Sequence, residues 1–276
     1  MPRSPRRAPA PSRGDGGGGA LIPFRLSFGH WSPVIRRIES GTGSIAITFD
    51  DGPDPASTPH LLAALAEAQA TATFFLCGVR VEQHPELVAA LVAADHTVYA
   101  HGWDHRLYSA AEAEDAAAAM ARTESLLARH RPTPPTYLLR LPFNAGIRSA
   151  TIHRAMRRFH PDVQFAWWSH AIADYLIADE PRPEADIRHA CDDAITRLMA
   201  EGDLDGGILL LHDAAITQPQ EGAILATRLL LPGVLKALRQ RGLKGVSLQP
   251  RKTKSAAARF IYRSLEPVTI MPRWAA

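Results

Sequence analysis

The sequence contains few cysteines and no long apolar run. Cys77 and Cys191 are the only cysteines among 276 residues, too few for the disulfide framework of a small secreted protein. No segment approaches the roughly 18 consecutive apolar residues that a membrane-spanning helix requires. Residues 1–19 are rich in Arg, Pro and Gly and lack the apolar core of a signal peptide. We therefore expect a cytoplasmic protein, with an extracytoplasmic location as the alternative.

Excess positive charge is confined to the two ends of the chain. The whole sequence carries +3, whereas residues 1–15 carry +3 and residues 251–276 carry +5, so residues 16–250 carry −5. A negatively charged middle section offers no basic groove, and we expect no nucleic-acid partner. Within the basic end, Ser255–Leu265 alternates cationic and apolar residues. We expect a helix packed on the domain there, with weak contact to an anionic membrane surface as the alternative.

Hydrophobic periodicity predicts strands that alternate with helices. Strand-like runs occur at Ile45–Phe49, Thr71–Cys77, Thr97–His101, Tyr137–Arg140, Val163–Trp168, Gly207–His212 and Val246–Leu248. The amphipathic stretches between them are Thr58–Ala68, Pro85–Ala94, Ala110–Arg129, Ser149–Phe159, Glu184–Ala200 and Gly222–Gln240. This alternation is typical of an α/β protein with a parallel sheet and outer helices, and about seven strands favour a barrel.

The length and composition fit one catalytic domain with a single core. We expect the barrel to occupy residues 41–250. Residues 1–40 would form a disordered or irregular lead, and residues 251–276 a basic tail.

Two adjacent carboxylates, Asp50 and Asp51, end the first predicted strand and precede a Gly-Pro turn. Two negative charges at one strand end repel each other. Such a pair therefore persists where one carboxylate binds a cation or carries a proton, so that the two carboxylates have different roles. The ends of strands in α/β folds are also where ligands bind. The alternative is an ordinary turn with a helix cap, since Asp-Gly-Pro favours turns without any ligand.

A pair of histidines, His101 and His105, follows the third predicted strand. Imidazoles four positions apart can converge on one cation. Together with one aspartate they supply three protein ligands and leave a coordination position open, which is typical of catalytic metal sites. The pair alone is a weak signal in a chain with twelve histidines.

Five motifs in this order make the chain resemble the polysaccharide deacetylases that share the NodB homology domain, also called carbohydrate esterase family 4. The motifs are Thr48–Pro53, His101–His105, Arg140–Asn144, Trp168–Tyr175 and Ile208–Asp213. Within them the sequence departs from the usual family residues at Gly102, Leu141, Asn144, Ala171 and Tyr175. The resemblance implies a distorted (β/α) barrel. The departures leave the substrate open, because the altered residues are expected to line the groove.

The resemblance also implies a set of roles. Asp51, His101 and His105 would hold one divalent ion. Zinc is the default for two imidazoles and a carboxylate, and cobalt or nickel would suit similar ligands. Asp50 would be the base that takes a proton from water, and Arg140 would keep Asp50 ionised and oriented.

The remaining implied roles concern the leaving group and the substrate. His212, oriented by Asp174, would protonate the departing group, because the charge of an imidazole changes near neutral pH. The backbone N–H of Phe143 would stabilise the oxyanion, and Tyr175 would line the groove.

The leading hypothesis is therefore a metal-dependent hydrolase that removes acetyl groups from an amino-sugar polysaccharide or oligosaccharide, with N-acetyl groups favoured over O-acetyl groups. One alternative is an amidohydrolase of the same fold that acts on a small non-sugar amide. A second alternative is a catalytically silent carbohydrate-binding relative.

Overall fold

The computed structural model describes residues 31–178, 180–213, 216 and 220–251. In those residues the strands are β1 (Val34–Ile35), β2 (Ser44–Asp51), β3 (Thr73–Leu76), β4 (Thr97–Ala100), β5 (Tyr137–Leu139), β6 (Val163–Ala166), β7 (His170–Ala171), β8 (Ile208–His212) and β9 (Lys244–Val246). The helices are α1 (Thr58–Glu67), α2 (Gly78–Gln83), α3 (Pro85–Ala93), α4 (Ala113–Leu127), α5 (Ala150–Phe159), α6 (Glu184–Ala200) and α7 (Gln220–Gln240).

The strands form two parallel sheets. The larger sheet has the order β4-β3-β2-β8-β7, and β9 pairs with the first half of β2. The smaller sheet has the order β1-β6-β5. β2 lies at the centre of the larger sheet. Its residues Ile45–Phe49 are apolar or β-branched, and seven of its eight residues are buried. The predicted α/β barrel is confirmed, with β1 and β7 as two-residue strands beyond those that periodicity predicted.

Side chains bridge the gap between β4 and β5, the neighbouring edge strands of the two sheets. The hydroxyl of Tyr137 accepts a hydrogen bond from the amide N of Ala100 at 3.0 Å and donates to Glu124 at 2.7 Å. Arg131 binds the same Glu124 and donates twice to the carbonyl of Val98. These bonds take the place of a backbone ladder, so the barrel closes through side chains on this side.

The ordered domain extends before residue 41. β1 pairs with β6, and Ile35 is buried. Part of the segment 1–40, which we expected to be a lead, therefore belongs to the barrel. Residues 1–30 and 252–276 lie outside the described residues, and with them the expectations for the remaining lead, the tail and Ser255–Leu265. Among the helices of the described ranges, none combines the length and the apolar character needed to cross a bilayer.

Candidate metal centre and active site

The register of the sheet brings the motif residues to one edge. Asp50 lies opposite His212 on the adjacent strand β8 and opposite Phe75 on β3. Asp51 is the last residue of β2 and has a positive φ of 79°, a conformation that non-glycine residues adopt rarely. Both carboxylates are almost fully buried. The acidic pair therefore lies inside the barrel mouth and is not a solvated turn.

The two histidines lie on the loop that leaves β4. The loop turns at Gly102, where φ is 77°. Its carbonyl accepts a hydrogen bond from Thr123 on α4 at 2.7 Å. Nε2 of His105 lies 3.1 Å from Oδ1 of Asp51, and Nε2 of His101 lies 3.6 Å from the same oxygen. One ligand atom from each of the three residues lies within 4.8 Å of the others.

The chemistry of these three residues fits a divalent cation. Oδ1 of Asp51 is buried and accepts no hydrogen bond from the described residues, although buried polar atoms normally have a partner. Its other oxygen accepts from the amide N of Ile216 at 2.9 Å. Nδ1 of His101 donates to the carbonyl of Arg140 at 2.9 Å and leaves the Nε2 lone pair free. One carboxylate oxygen and two imidazole nitrogens therefore converge as a metal-ligand set.

The pKa shifts of Asp51 and His101 agree with binding of a divalent cation. Burial alone would raise the pKa of Asp51, but the imidazoles of His105, His212 and His101 outweigh it and hold the pKa well below its usual range. Burial lowers the pKa of His101 despite the neighbouring Asp50 and Asp51. An ionised carboxylate at Asp51 and an uncharged imidazole at His101 are the forms in which these two side chains bind a metal.

Asp50 is held by Arg140 and not by the ligand set. Nη1 of Arg140 donates to Oδ1 of Asp50 at 2.7 Å and to the hydroxyl of Thr48 at 2.9 Å. Nε of Arg140 donates to the carbonyl of Ala166 at 3.1 Å. The guanidinium is 1% exposed, so these contacts fix its position and neutralise its charge. Oδ2 of Asp50 remains 3.8 Å from Nε2 of His101, at the flank of the candidate metal site.

His212 is oriented by Asp174 on the other flank. Nδ1 of His212 donates to Oδ1 of Asp174 at 2.8 Å, and the amide N of His212 donates to Oδ2 at 2.6 Å. Burial opposes the charged imidazole, but the carboxylate of Asp174 outweighs it and raises the pKa of His212 to about 9. Nε2 therefore carries a proton at neutral pH, as an acid catalyst requires.

The two predicted substrate residues lie at the exposed edge of this site. Phe143 is 58% exposed and has a positive φ of 54°, and its ring lies 4.7 Å from that of His105. Tyr175 is 40% exposed, and its ring lies 5.4 Å from that of His212. One aromatic side chain thus borders a candidate ligand histidine, and the other borders His212.

Comparison with known proteins gives the same family resemblance as the motifs. The polysaccharide deacetylase family model matches residues 37–160. A peptidoglycan-N-acetylglucosamine deacetylase of Bacillus cereus is 28% identical over 215 residues, which cover 78% of this chain and 91% of that protein. The chain is similar to the polysaccharide deacetylases. The family resemblance inferred from the sequence is therefore confirmed. Members of this family depend on a metal, and the described residues supply a candidate ligand set for it.

Two solved structures of this deacetylase family share the fold. The peptidoglycan deacetylase PdaC from Bacillus subtilis has a TM-score of 0.56 and 24% identity, covering 76% of this chain and 90% of that chain. A family pseudoenzyme from Bacillus anthracis has a TM-score of 0.59 and 18% identity, covering 79% of this chain and 68% of that chain. Because one neighbour is a pseudoenzyme, the fold alone does not decide activity. Activity depends on the arrangement of the site residues.

Several residues that shape this candidate site were not predicted from the sequence. The hydroxyl of Thr48 donates to the carbonyl of Leu209 and accepts from Arg140, and the amide of Ile216 positions Asp51. Thr48 stands inside the first motif, but its partner is 92 residues away in the sequence. A backbone amide such as that of Ile216 leaves no signal in the sequence, because every residue except proline has one.

Asp213 also escaped prediction, although it ends the fifth motif. It is fully buried, and burial raises its pKa to about 6 despite hydrogen bonds from the hydroxyls of Ser57 and Thr58. Its position directly after His212 was the one sequence feature that could have indicated a place in the site.

Proposed function

We propose that this chain is a metal-dependent deacetylase that hydrolyses the N-acetyl groups of an amino-sugar polysaccharide or oligosaccharide. The convergence of Asp51, His101 and His105 within 4.8 Å, with Asp50 and His212 on its flanks, carries the proposal. The similarity to a peptidoglycan-N-acetylglucosamine deacetylase supports an N-acetylated glycan as the substrate class. O-acetyl esters are a close variant, since the same groups act on either acyl bond.

Asp51, His101 and His105 would hold the ion. Zinc suits two imidazoles and one carboxylate, and cobalt or nickel would suit the same atoms. When bound, a divalent ion of this kind polarises the acetyl carbonyl and makes water a stronger nucleophile at neutral pH. Side chains and backbone groups of the chain would carry out the proton transfers and help to stabilise the oxyanion.

Asp50 is the base in this proposal. Arg140 occupies its Oδ1, so Oδ2 is left to accept a proton from the water that attacks the acetyl carbonyl. The new bond joins the water oxygen to the carbonyl carbon and places negative charge on the carbonyl oxygen. The N–H of Phe143 donates to that oxygen and stabilises the charge.

His212 completes the reaction as the acid. Its Nε2 proton passes to the nitrogen of the substrate while the carbon–nitrogen bond breaks, which yields acetate and a free amine. Asp174 keeps the imidazole charged and fixes its direction through two hydrogen bonds. Tyr175, next to His212, would contact the sugar at the groove.

Acetate release from a substrate panel tests the proposal. The panel contains N-acetylglucosamine oligomers, peptidoglycan glycan strands, acetylated xylan and small N-acetyl amides, each assayed with and without a chelator. We expect release from the N-acetylated glycans that stops with chelation and returns with zinc, cobalt or nickel. Unchanged activity after complete metal removal would overturn the mechanism. Release confined to the small amides would indicate the amidohydrolase, and glycan binding without release would indicate the silent relative.

A further inference from the structure

One buried carboxylate at the site has no part in the proposed chemistry. Asp213 follows His212 directly at the end of β8 and is 0% exposed. Its Oδ2 accepts a hydrogen bond from the hydroxyl of Thr58 at 2.6 Å, and its Oδ1 accepts one from the hydroxyl of Ser57. Both hydroxyls stand at the start of α1. The carboxylate therefore ties the end of β8 to the helix that follows the acidic pair.

Asp213 also contacts the loop between β2 and α1 through its backbone and through the packing of its side chain. Its amide N donates to the carbonyl of Asp50 at 2.8 Å, and its carbonyl accepts from Arg80 at 3.0 Å. A Cβ atom on Gly52 would lie 2.3 Å from Oδ2 of Asp213, so the carboxylate packs directly against the turn after Asp51. Asp213 thus contacts both ends of the loop between β2 and α1.

We propose that Asp213 is a positioning residue, which with Thr58 sets the place of the Asp50–Asp51 turn relative to His212. The inference rests on the proposed function, because it concerns how that site is assembled. Asp50 and Asp51 act only if their carboxylates meet the ion and the water at the right distance. Loss of such an outer partner weakens metal affinity or activity by about 10- to 100-fold in other metal sites.

A matched control lies at the other end of β2 and β8, where Asp205 joins the two strands. Asp205 precedes β8. Its carboxylate accepts hydrogen bonds from the amide of Ser44, the first residue of β2, and from the amide of Gly41 in the segment before that strand. It therefore ties β8 to β2 as Asp213 does, but at the end of the strands remote from the candidate active site. Asp205→Asn weakens a similar tie without touching the turn that carries the acidic pair.

The test compares Asp213→Asn, Thr58→Val, Thr58→Ser and Asp205→Asn. Cobalt(II) is titrated into each metal-free protein by visible absorption, kcat and KM for acetate release are measured at saturating cobalt, and the thermal midpoint is recorded. We expect Asp213→Asn and Thr58→Val to lower cobalt affinity by about tenfold or more and to lower kcat, with KM nearly unchanged. Thr58→Ser retains the hydroxyl and should match the wild type. Asp205→Asn should lower only the thermal midpoint.

A purely structural role would give a different pattern. If Asp213→Asn and Thr58→Val lower the thermal midpoint as Asp205→Asn does, with wild-type cobalt affinity and kcat, the inference is overturned. If Asp213→Asn does not fold, the comparison of Thr58→Val with Thr58→Ser decides the question. A wild type that binds cobalt but releases no acetate contradicts the proposed function, whereas the affinity comparison still tests Asp213. A wild type that binds no cobalt overturns both.

Discussion

Neighbouring aspartates at the end of β2 have different partners. Asp50 is paired with Arg140, whereas Asp51 faces His101 and His105. The sequence resemblance implied different roles for the two carboxylates, and those roles remain a prediction. The contacts made by Thr48, Ile216 and Asp213 were beyond prediction, because they join residues that the sequence separates widely.

Substitution of the base should separate turnover from metal binding. Asp50→Asn removes the proton acceptor but none of the three ligands, so we expect turnover to fall by about 100-fold or more with metal still bound. His101→Ala removes a ligand and should lose both metal and activity. Acetate release and metal content by mass spectrometry measure the two effects. Equal metal loss in the two variants would contradict the assignment of Asp50 and His101.

The pH dependence of turnover should follow His212. Because Asp174 raises the pKa of His212 to about 9, the acid is protonated below that value and kcat should fall as the pH rises through it. Asp174→Asn removes the charge that raises this pKa, so the alkaline fall should move to lower pH. The measurement is kcat from about pH 6 to pH 10 for the wild type, Asp174→Asn and the remote control Asp205→Asn. An alkaline limb that stays in place or moves upward in Asp174→Asn would refute the role of Asp174.

Elements with a long hydrophobic pattern were predictable and the shortest ones were not. Periodicity located α6 at the residues where the structure has it, whereas β1 and β7 contain two residues each and carry no readable period. The last strand was predicted at Val246–Leu248 but ends at Val246. Its successors Ser247 and Leu248 donate their amides to the hydroxyls of Thr71 and Thr73, so side chains replace the expected ladder there.

The hydroxyl of Tyr137 contributes to the closure between β4 and β5, which gives a stability prediction. Tyr137→Phe leaves the amide of Ala100 without its acceptor and takes a donor from Glu124. We expect the free energy of unfolding to fall by about 1–3 kcal/mol, because buried polar groups then lack partners. Chemical denaturation measures the loss.

Tyr175→Phe is the control for that experiment. It also removes a hydroxyl, but from a side chain that is 40% exposed, so its effect should stay within about 0.5 kcal/mol. Equal losses in the two variants would mean that the bridge does not stabilise the barrel.

At the scale of the whole molecule, the five motifs meet because parallel strands present their carboxyl ends at one edge. That much was predictable from the alternation of strands and helices. The division into two sheets was not predictable, because it depends on which edge strands pair and which are bridged by side chains such as Tyr137 and Arg131.

A ligand that binds only the folded chain should stabilise the whole barrel. Metal at 100 times its dissociation constant contributes about 2.7 kcal/mol, so chelation should lower the thermal midpoint of the wild type. His105→Ala lacks one ligand, and its midpoint should respond little to the chelator. Differential scanning calorimetry with and without chelator gives both values. A chelator effect of the same size in His105→Ala would place the stabilising ion elsewhere.

The pairing of Asp50 with His212 has a consequence for how this enzyme can diversify. Neighbouring strands lie about 4.8 Å apart in any sheet, so the spacing of the proposed base and acid is set by the pairing of β2 with β8 and not by the loops. Changes in the loops around Phe143 or Tyr175 can alter substrate selection, while the distance between Asp50 and His212 stays the same. A one-residue insertion in β8 would instead turn His212 to the opposite face and end catalysis at once.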